Sequence, residues 1–437
     1  MNPRLSKAKF RQKSNQQKEE KMKKNLTKLF IIMALVACLG IAAPVQAEDG
    51  YKFGVIATLE GAFAALGEDG VRGVKQALQE RNYMVAGKKI ELITMSSDAS
   101  PDSAVRAVRK LVEQDKVDLV IGPLSGSEGI ALKNYAKTQP QVTILNGSSA
   151  AQDTTLRDPA PNFFRWQTDG AQWMAGLGEY AYNVKGYKKI VTIAEDYSFP
   201  YTQVLGFLLG YCDAGGQVLD RFWVPIGNKD YSTIVASIPD DIDAIYVALG
   251  GADAVNFLSQ YEMSGGEKPL IGGSITMDQS VLGSKGRRKN FVVGTPSGGP
   301  IADSSQKPSW LKYVADYKKE YPKGFPSPSL FTYGYYCATL AALEALEQVK
   351  GDLSNGQKAF RDALSTLELQ APGGLIKLDA NRQAVADIFL TEVVLGDDGN
   401  LYNKVIKTIP MVNQVMGWDQ QKFLDLGPVG RNNPPCK

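Results

Sequence analysis

From Tyr51 onward strand and helix patterns alternate, and that alternation is the tightest constraint on what this chain can fold into. Tyr51–Ala57 reads as a strand, Glu68–Asn82 as a helix with Val71, Val74, Ala77 and Leu78 on one face, and Lys89–Met95 as a second strand. Ser100-Pro101-Asp102 opens a helix that runs to about Gln114, with a capping hydroxyl, proline at the first helical position and an acid in the first turn. A strand over Val117–Ile121, a helix over Glu128–Lys137 and a strand over Val142–Leu145 complete the block. This order predicts a parallel sheet with right-handed crossovers, an α/β fold.

The alternation then repeats. Helices over Gly170–Val184, Tyr201–Ala214, Tyr231–Ile238 and Ala252–Met263 interleave with strands over Lys189–Ala194, Gln217–Val224, Ala244–Leu249, Pro269–Gly272 and Asn290–Gly294, so a second α/β sheet is expected. Asn162–Arg165 and Gly294–Pro300 read as segments crossing between the two sheets rather than as core. A third block carries helices over Trp310–Tyr321, Leu330–Lys350 and Gln357–Leu367, then strands over Leu375–Leu378, Asp387–Val394 and Asn403–Thr408. It is expected to finish both sheets, which requires several crossings and therefore a hinge with a cleft.

The turn Gly122-Pro123-Leu124-Ser125-Gly126-Ser127 lies between a buried strand and a helix. Its N–H groups and hydroxyls stand at the carboxyl end of a sheet, where an anionic or carbonyl ligand is readily met. The aromatic run Tyr197-Ser198-Phe199-Pro200-Tyr201 follows another strand end and can project rings into the same cleft. Phe331–Tyr336 reads as core and hinge lining.

Residues Lys21, Lys23, Lys24 and Lys28, the apolar run Leu29–Ala43 and Val45-Gln46-Ala47 form the three-part pattern of a secretory signal cleaved after Ala47, with Met22 an alternative start. Leu35-Val36-Ala37-Cys38 offers a second reading, a lipoprotein signal acylated at Cys38, and is not preferred. Residues 1–47 carry ten Lys/Arg and two Asp/Glu, so the whole-chain count of 49 against 46 becomes 39 against 44, a net charge of −5. That balance gives no argument for a nucleic-acid partner. In an oxidising compartment the three remaining cysteines suggest one disulfide, Cys212 with Cys436, and one buried thiol at Cys337, which sits in an apolar helical run. Three free thiols remain the alternative.

The chain has no histidine, which removes the commonest general base and zinc ligand and argues against an enzyme. Gly176-Leu177-Gly178-Glu179-Tyr180-Ala181 has the form of a dinucleotide fingerprint but falls within a helix, so close helix packing is the better reading. Asp240-Asp241 and Asp397-Asp398 read as solvated turns. No metal site and no cofactor are expected.

Taken in order, Ala57–Gly61 through Gly67, Val120–Ser125, Phe164-Arg165, Glu195-Asp196-Tyr197 and Gly374–Asp379 resemble the periplasmic solute-binding proteins of ABC transporters, in the branch that includes the leucine, isoleucine and valine binding protein. The resemblance implies a type I periplasmic binding fold. This has two Rossmann-like lobes joined by three hinge crossovers, with residues 49–166 and 298–385 in lobe 1 and residues 167–297 and 386–437 in lobe 2. It also implies export to the periplasm, a monomer that closes on a small carboxylate-bearing ligand without catalysis, and delivery to an ABC permease in the membrane. A ligand-sensing receptor domain on the same fold is the runner-up, and a serine hydrolase without histidine ranks last. By residue, the resemblance assigns the carboxylate to Ser125, Gly126 and Ser127 and to the turn Gly147, Ser148, Ser149 and Ala150. Phe63, Leu66 and Trp166 become pocket wall, and Phe199, Gly250, Gly251 and Ser274 the cover from the second lobe. Amino-acid binders of the family carry an acid near Ser274 for the α-ammonium group. Here Gly272–Thr276 has none, and Asp253 and Asp278 are not aligned with that role. An unpaired buried ammonium is costly. The expected ligand is therefore an aromatic or other organic acid ahead of a branched-chain or hydrophobic amino acid.

Overall fold

The structure, a computed structural model, describes residues 20–24, 50–284 and 291–436. The apolar export segment, its cleavage after Ala47 and Cys38 lie outside the described residues, as does Asn290. Among the described residues no helix is long and apolar enough to cross a membrane.

Two lobes form, as the double alternation requires. The first sheet holds β1 (Tyr51–Thr58), β2 (Met84–Val85), β3 (Lys88–Ser97), β4 (Leu119–Ile121), β5 (Thr143–Asn146) and β6 (Phe163–Arg165) in the order β2-β3-β1-β4-β5-β6. Its pairs are parallel except β2 with β3. Helices α1 (Ala64–Gln79), α2 (Pro101–Arg109) and α3 (Gly126–Thr138) connect them. Ser100 caps α2, accepting from the Ser103 N–H as its sequence position predicts.

The second sheet runs β7 (Lys189–Glu195), β8 (Gln217–Val224), β9 (Ala244–Ala248), β10 (Leu270–Gly272) and β11 (Pro296–Gly299), parallel where these strands pair with one another. Its helices are α4 (Leu177–Asn183), α5 (Ser198–Asp213), α6 (Ser232–Ala236), α7 (Gly251–Met263) and α8 (Gln279–Leu282). Helices α9 (Pro308–Glu320), α10 (Leu330–Gln348) and α11 (Ser354–Thr366) then return to the first core, where Trp310, Tyr335, Leu343 and Phe360 are buried with Phe53 and Leu119. Strands β12 (Leu369–Ala371), β13 (Gly374–Leu378), β14 (Ala384–Leu395) and β15 (Leu401–Val412) close the chain with α12 (Gln420–Asp425).

Several expectations change. The third block adds strands only to the second sheet, because the twelve-residue β14 is antiparallel to β11, β13 and β15. The first sheet gains from it only an isolated bridge, Arg165 to Gln383. Asn162–Arg165 is not just a crossing: Phe163 and Phe164 are buried in β6. Phe291–Gly294 makes turns instead of a strand, since Gly294 takes φ +85°, and the strand begins two residues later at Pro296. The long helix expected over Gly170–Val184 is interrupted by a 3-10 turn at Gln172–Met174 and by Gly176 at φ +76°. Gly178 does serve helix packing: a Cβ there would lie 2.3 Å from the Tyr211 nitrogen of α5. Cys212 pairs with Cys436, their Cα atoms 5.6 Å apart, and Cys337 is a buried thiol.

The crossings are tied by a buried polar network. Arg165 donates to Ala151 O (2.6 Å), to Thr155 Oγ1 (2.7 Å) and to Gln383 Oε1, and pairs with Asp169 at 3.3 Å. Asp169 accepts from the Ala171 and Gln172 N–H groups and from Gln414. Gln172 donates to Ala384 O and Val412 O. Burial pulls Arg165 down to about 10, against the opposing pull of Asp169, and pushes Asp169 up.

Two predictions follow from these buried charges. Arg165→Met leaves the Asp169 carboxylate without its cation and is expected to cost ~3–5 kcal/mol of unfolding free energy in denaturant titration, because a buried charge loses its partner. A loss below about 1 kcal/mol contradicts that assignment. The second concerns pH. Burial pushes Asp253 up to about 6 and Asp278 up to about 7. Both lie above the unfolded value of about 3.9, so the folded state holds more protons between them, and stability falls as pH rises through 6 to 7. No histidine titrates there. The melting temperature is expected to drop from about pH 5 to about pH 8, and Asp278→Asn to flatten the drop. A melting temperature that rises across that range is the contrary result.

Candidate ligand-binding site

Parallel strands deliver their carboxyl ends to one edge of a sheet, and the two edges of this protein face one another. Where they meet lies a narrow cavity lined from both lobes. The first lobe supplies Phe63 and Leu66 after β1, Leu124 and Gly126 after β4, and Ser148 and Ala150 after β5. The second lobe supplies Tyr197 and Phe199 after β7, Gly250 after β9 and Ile275 after β10; Trp173 and Phe331 stand at the hinge. The walls are largely rings. Trp173 meets Phe199 edge-on with centroids 5.6 Å apart, and Tyr197 lies 6.2 Å from Phe63 across the lobes. Such a slot suits a flat apolar body.

Polar capacity is concentrated at one place. The first-turn N–H groups of α3 and of α5 have no intrahelical acceptor, and both helices begin at the cavity, at Gly126 and next to Phe199. Ser148 Oγ is buried without a partner among the described residues. Among the described residues no lysine, arginine or carboxylate lines the cavity. Peptide dipoles and a neutral hydroxyl are therefore what an anion would meet, and an ammonium group would find no acceptor charge.

Three buried acids stand behind these walls. Glu128 Oε2 accepts from the Ser125 N–H (2.9 Å) and from Thr58 Oγ1 (3.2 Å), Glu195 Oε1 from the Gly250 N–H (2.8 Å), and Asp253 Oδ2 from the Gly227 N–H (2.7 Å). Burial pushes the pKa of Glu128 up and that of Glu195 well up, with the Asp253 charge adding to the latter.

Of the residues assigned from sequence, Phe63, Leu66, Gly126, Ser148, Phe199 and Gly250 line this cavity. Most of the others do not. Ser125 is the cap of α3: its hydroxyl takes the Glu128 N–H and donates to Ala99 O at 2.9 Å, so it is committed to the fold. Ser127 Oγ lies 3.1 Å from Ser198 Oγ, a contact between the lobes. Ser149 Oγ is buried against Gly129, and Gly147 is pressed on the Tyr335 ring, 2.4 Å from where a Cβ would sit. Gly251, at φ +49°, packs on Ala62 and Phe63 across the cleft. Ser274 Oγ accepts from Gln203 at 2.5 Å and faces a neighbouring cavity. Trp166, the residue that follows the end of β6, is fully buried in the first core. Its expected place in the wall is taken by Trp173, whose ring N–H bonds Thr168 Oγ1 at 2.9 Å. Ala150, the last residue of the second assigned turn, also lines the cavity. Leu124, Trp173, Ile275 and Phe331 were not assigned; Leu124 and Ile275 stand beside assigned residues, and Trp173 lies in the 3-10 turn that interrupts the expected helix.

Comparison with known proteins agrees with this architecture. A family model described as periplasmic binding protein matches residues 50–400. The Leu/Ile/Val-binding protein homolog 6 of Brucella melitensis is 25% identical over 391 residues, which is 86% of this chain and 96% of that protein. An ABC transporter substrate-binding protein from Sphaerobacter thermophilus superposes with a TM-score of 0.75 and 27% identity, covering 84% of this chain and 99% of that one. A solute-binding protein of an ABC transporter from Rhodopseudomonas palustris, solved with 3,4-dihydroxybenzoic acid, gives a TM-score of 0.75 and 26% identity over the same shares. The reading as a binding protein and not an enzyme holds, and the family implies a location outside the cytoplasm. The chain belongs to the periplasmic binding protein family.

Proposed function

We propose that this protein captures a small aromatic monocarboxylate between its lobes and hands it to an ABC permease. The observation that carries the reading is the lining of the cavity: five aromatic rings, the buried and unpartnered Ser148 hydroxyl, two helix starts and, among the described residues, no charged side chain. A benzoate-like ligand places its ring between Phe63, Phe199 and Trp173 and its carboxylate on the Gly126 N–H and Ser148 Oγ. A branched-chain amino acid would bring an ammonium group that nothing in this lining neutralises. The relative solved with 3,4-dihydroxybenzoic acid supports the same class. Closure is stabilised by the ligand because both lobes supply walls, so its affinity differs between open and closed states.

In this reading the signal ends at Ala47 and the mature chain is a monomer. Its lobes are residues 49–166 with 298–385, and 167–297 with 386–437. The side chains of Leu369, Ala371 and Ile376 pack in the first core although their strands bond to the second sheet, which favours that division.

The test is a thermal-shift panel of benzoate, 4-hydroxybenzoate, 3,4-dihydroxybenzoate, leucine and isoleucine. A ligand at ~100 times its dissociation constant should stabilise by roughly 2.7 kcal/mol. Shifts with leucine and isoleucine but none with the benzoates would overturn the ligand class. Among variants, Ser148→Ala is expected to weaken benzoate binding by about 1.5–3 kcal/mol, the value of a hydrogen bond to a charged group. Ser149→Ala and Ser127→Ala are expected to change it little. Trp166→Ala should lower stability by ~3–5 kcal/mol as a core truncation, without being a wall residue. Calorimetric titration of all four decides whether Ser148 or Ser149 holds the anion.

A further inference from the structure

The two-residue step Ser274-Ile275 and the step Leu330-Phe331 each face two ways. Ile275 and Phe331 line the aromatic cavity, whereas Ser274 and Leu330 line a second, narrow cavity on their other side. The chemistry of that second chamber is opposite. Asp278 and Asp303 both face it, with Ser297, Asn403 and Gln279 around them. Asp278 is held by the Leu330 N–H (2.8 Å) and the Ser280 N–H (2.9 Å), and Asp303 by Gln279 Nε2 and the Asn403 N–H, each at 2.8 Å. These bonds fix the carboxylates without neutralising them. Among the described residues no lysine or arginine pairs with either. Gln279, 1% exposed, also keeps its Oε1 buried without a partner.

We propose that this chamber is a second subsite, which receives a primary ammonium group at the far end of a carboxylate-bearing ligand. The inference rests on the aromatic cavity holding the carboxylate end. Two carboxylates and the Gln279 oxygen match the three N–H donors of an ammonium. A guanidinium fits less well, because it seeks a bidentate face and both Asp278 oxygens are already engaged by backbone N–H groups. A bound metal is not indicated, since the described residues hold no group of three or more metal-ligating side chains. Burial raises the pKa of Asp278 to about 7, the nearby Asp303 pushing the same way, and raises that of Asp303. A cation at this point relieves that cost. The subsite also accounts for the missing acid at Ser274: the site would accept an amine, but one placed across the ligand from the carboxylate and not α to it.

The experiment is isothermal titration of the disulfide-intact protein with 4-methylbenzoate and 4-(aminomethyl)benzoate, which differ by one amine. The amine is expected to tighten binding about tenfold, the value of a modest ion pair of roughly 1.4 kcal/mol. Asp303→Asn should abolish that gain while 4-methylbenzoate binding persists. Ser297→Val, which fills the chamber and keeps both acids, should abolish it too and serves if Asp303→Asn does not fold. Equal affinities for the two compounds, or a gain that survives both variants, overturn the subsite alone. If 4-methylbenzoate does not bind at all, the reading of the aromatic cavity fails and the subsite falls with it.

Discussion

The buried pair Arg165–Asp169 is the interaction on which the rest of the structure depends. It sits where the chain leaves the first sheet, and its glutamine neighbours reach strands that belong to the second. Gln383, just before β14, and Gln414, just after β15, join the segment that leaves β6 in one set of hydrogen bonds. Burying a guanidinium is costly on its own, so every donor it carries has to be met, and Ser149 O, Ala151 O, Thr155, Gln383 and Asp169 meet them. The same network breaks the helix expected at Gly170 and brings Trp173 round to the cavity.

With the hinge placed, binding becomes a matter of what faces the gap. In the proposed reading the ligand's anion meets no basic side chain among the described residues. Helix starts at Gly126 and Ser198 provide N–H groups, and Ser148 provides a hydroxyl. This arrangement spares the open state an exposed buried-site cation and leaves affinity to geometry. Behind it, Glu128 and Glu195 are spent on backbone N–H groups. Their oxygens organise the turns that carry Ser125 and Gly250, which is why such acids near a ligand cavity need not touch the ligand.

Much of this was readable from residues. The double alternation pointed to two α/β lobes, and the strand ends that lead to Gly126, Ser148, Phe199 and Gly250 do reach the cavity lining, because strand ends are set by local patterns. What escaped is set by long-range packing. Ser125, Ser148 and Ser149 look alike in a sequence, yet Ser125 is consumed by a capping box, Ser149 by packing on Gly129, and only Ser148 faces the cavity. Trp166 and Trp173 are seven residues apart, and which ring reaches the site depends on whether the helix after β6 is continuous. The third-block strands were legible as strands, but their sheet was decided by pairing with β11 across ninety residues of chain, for which periodicity carries no signal.

The central claim is that a ligand carboxylate rests on the start of α3 and on Ser148 while its ring lies among Phe63, Trp173 and Phe199. A crystal structure of the complex with 3,4-dihydroxybenzoate tests it most directly. The account expects carboxylate oxygens within hydrogen-bonding distance, about 2.7–3.1 Å, of the Gly126 N–H and Ser148 Oγ, with the lobes closed over the ring. A carboxylate bound elsewhere, or a ring outside the aromatic slot, would contradict it.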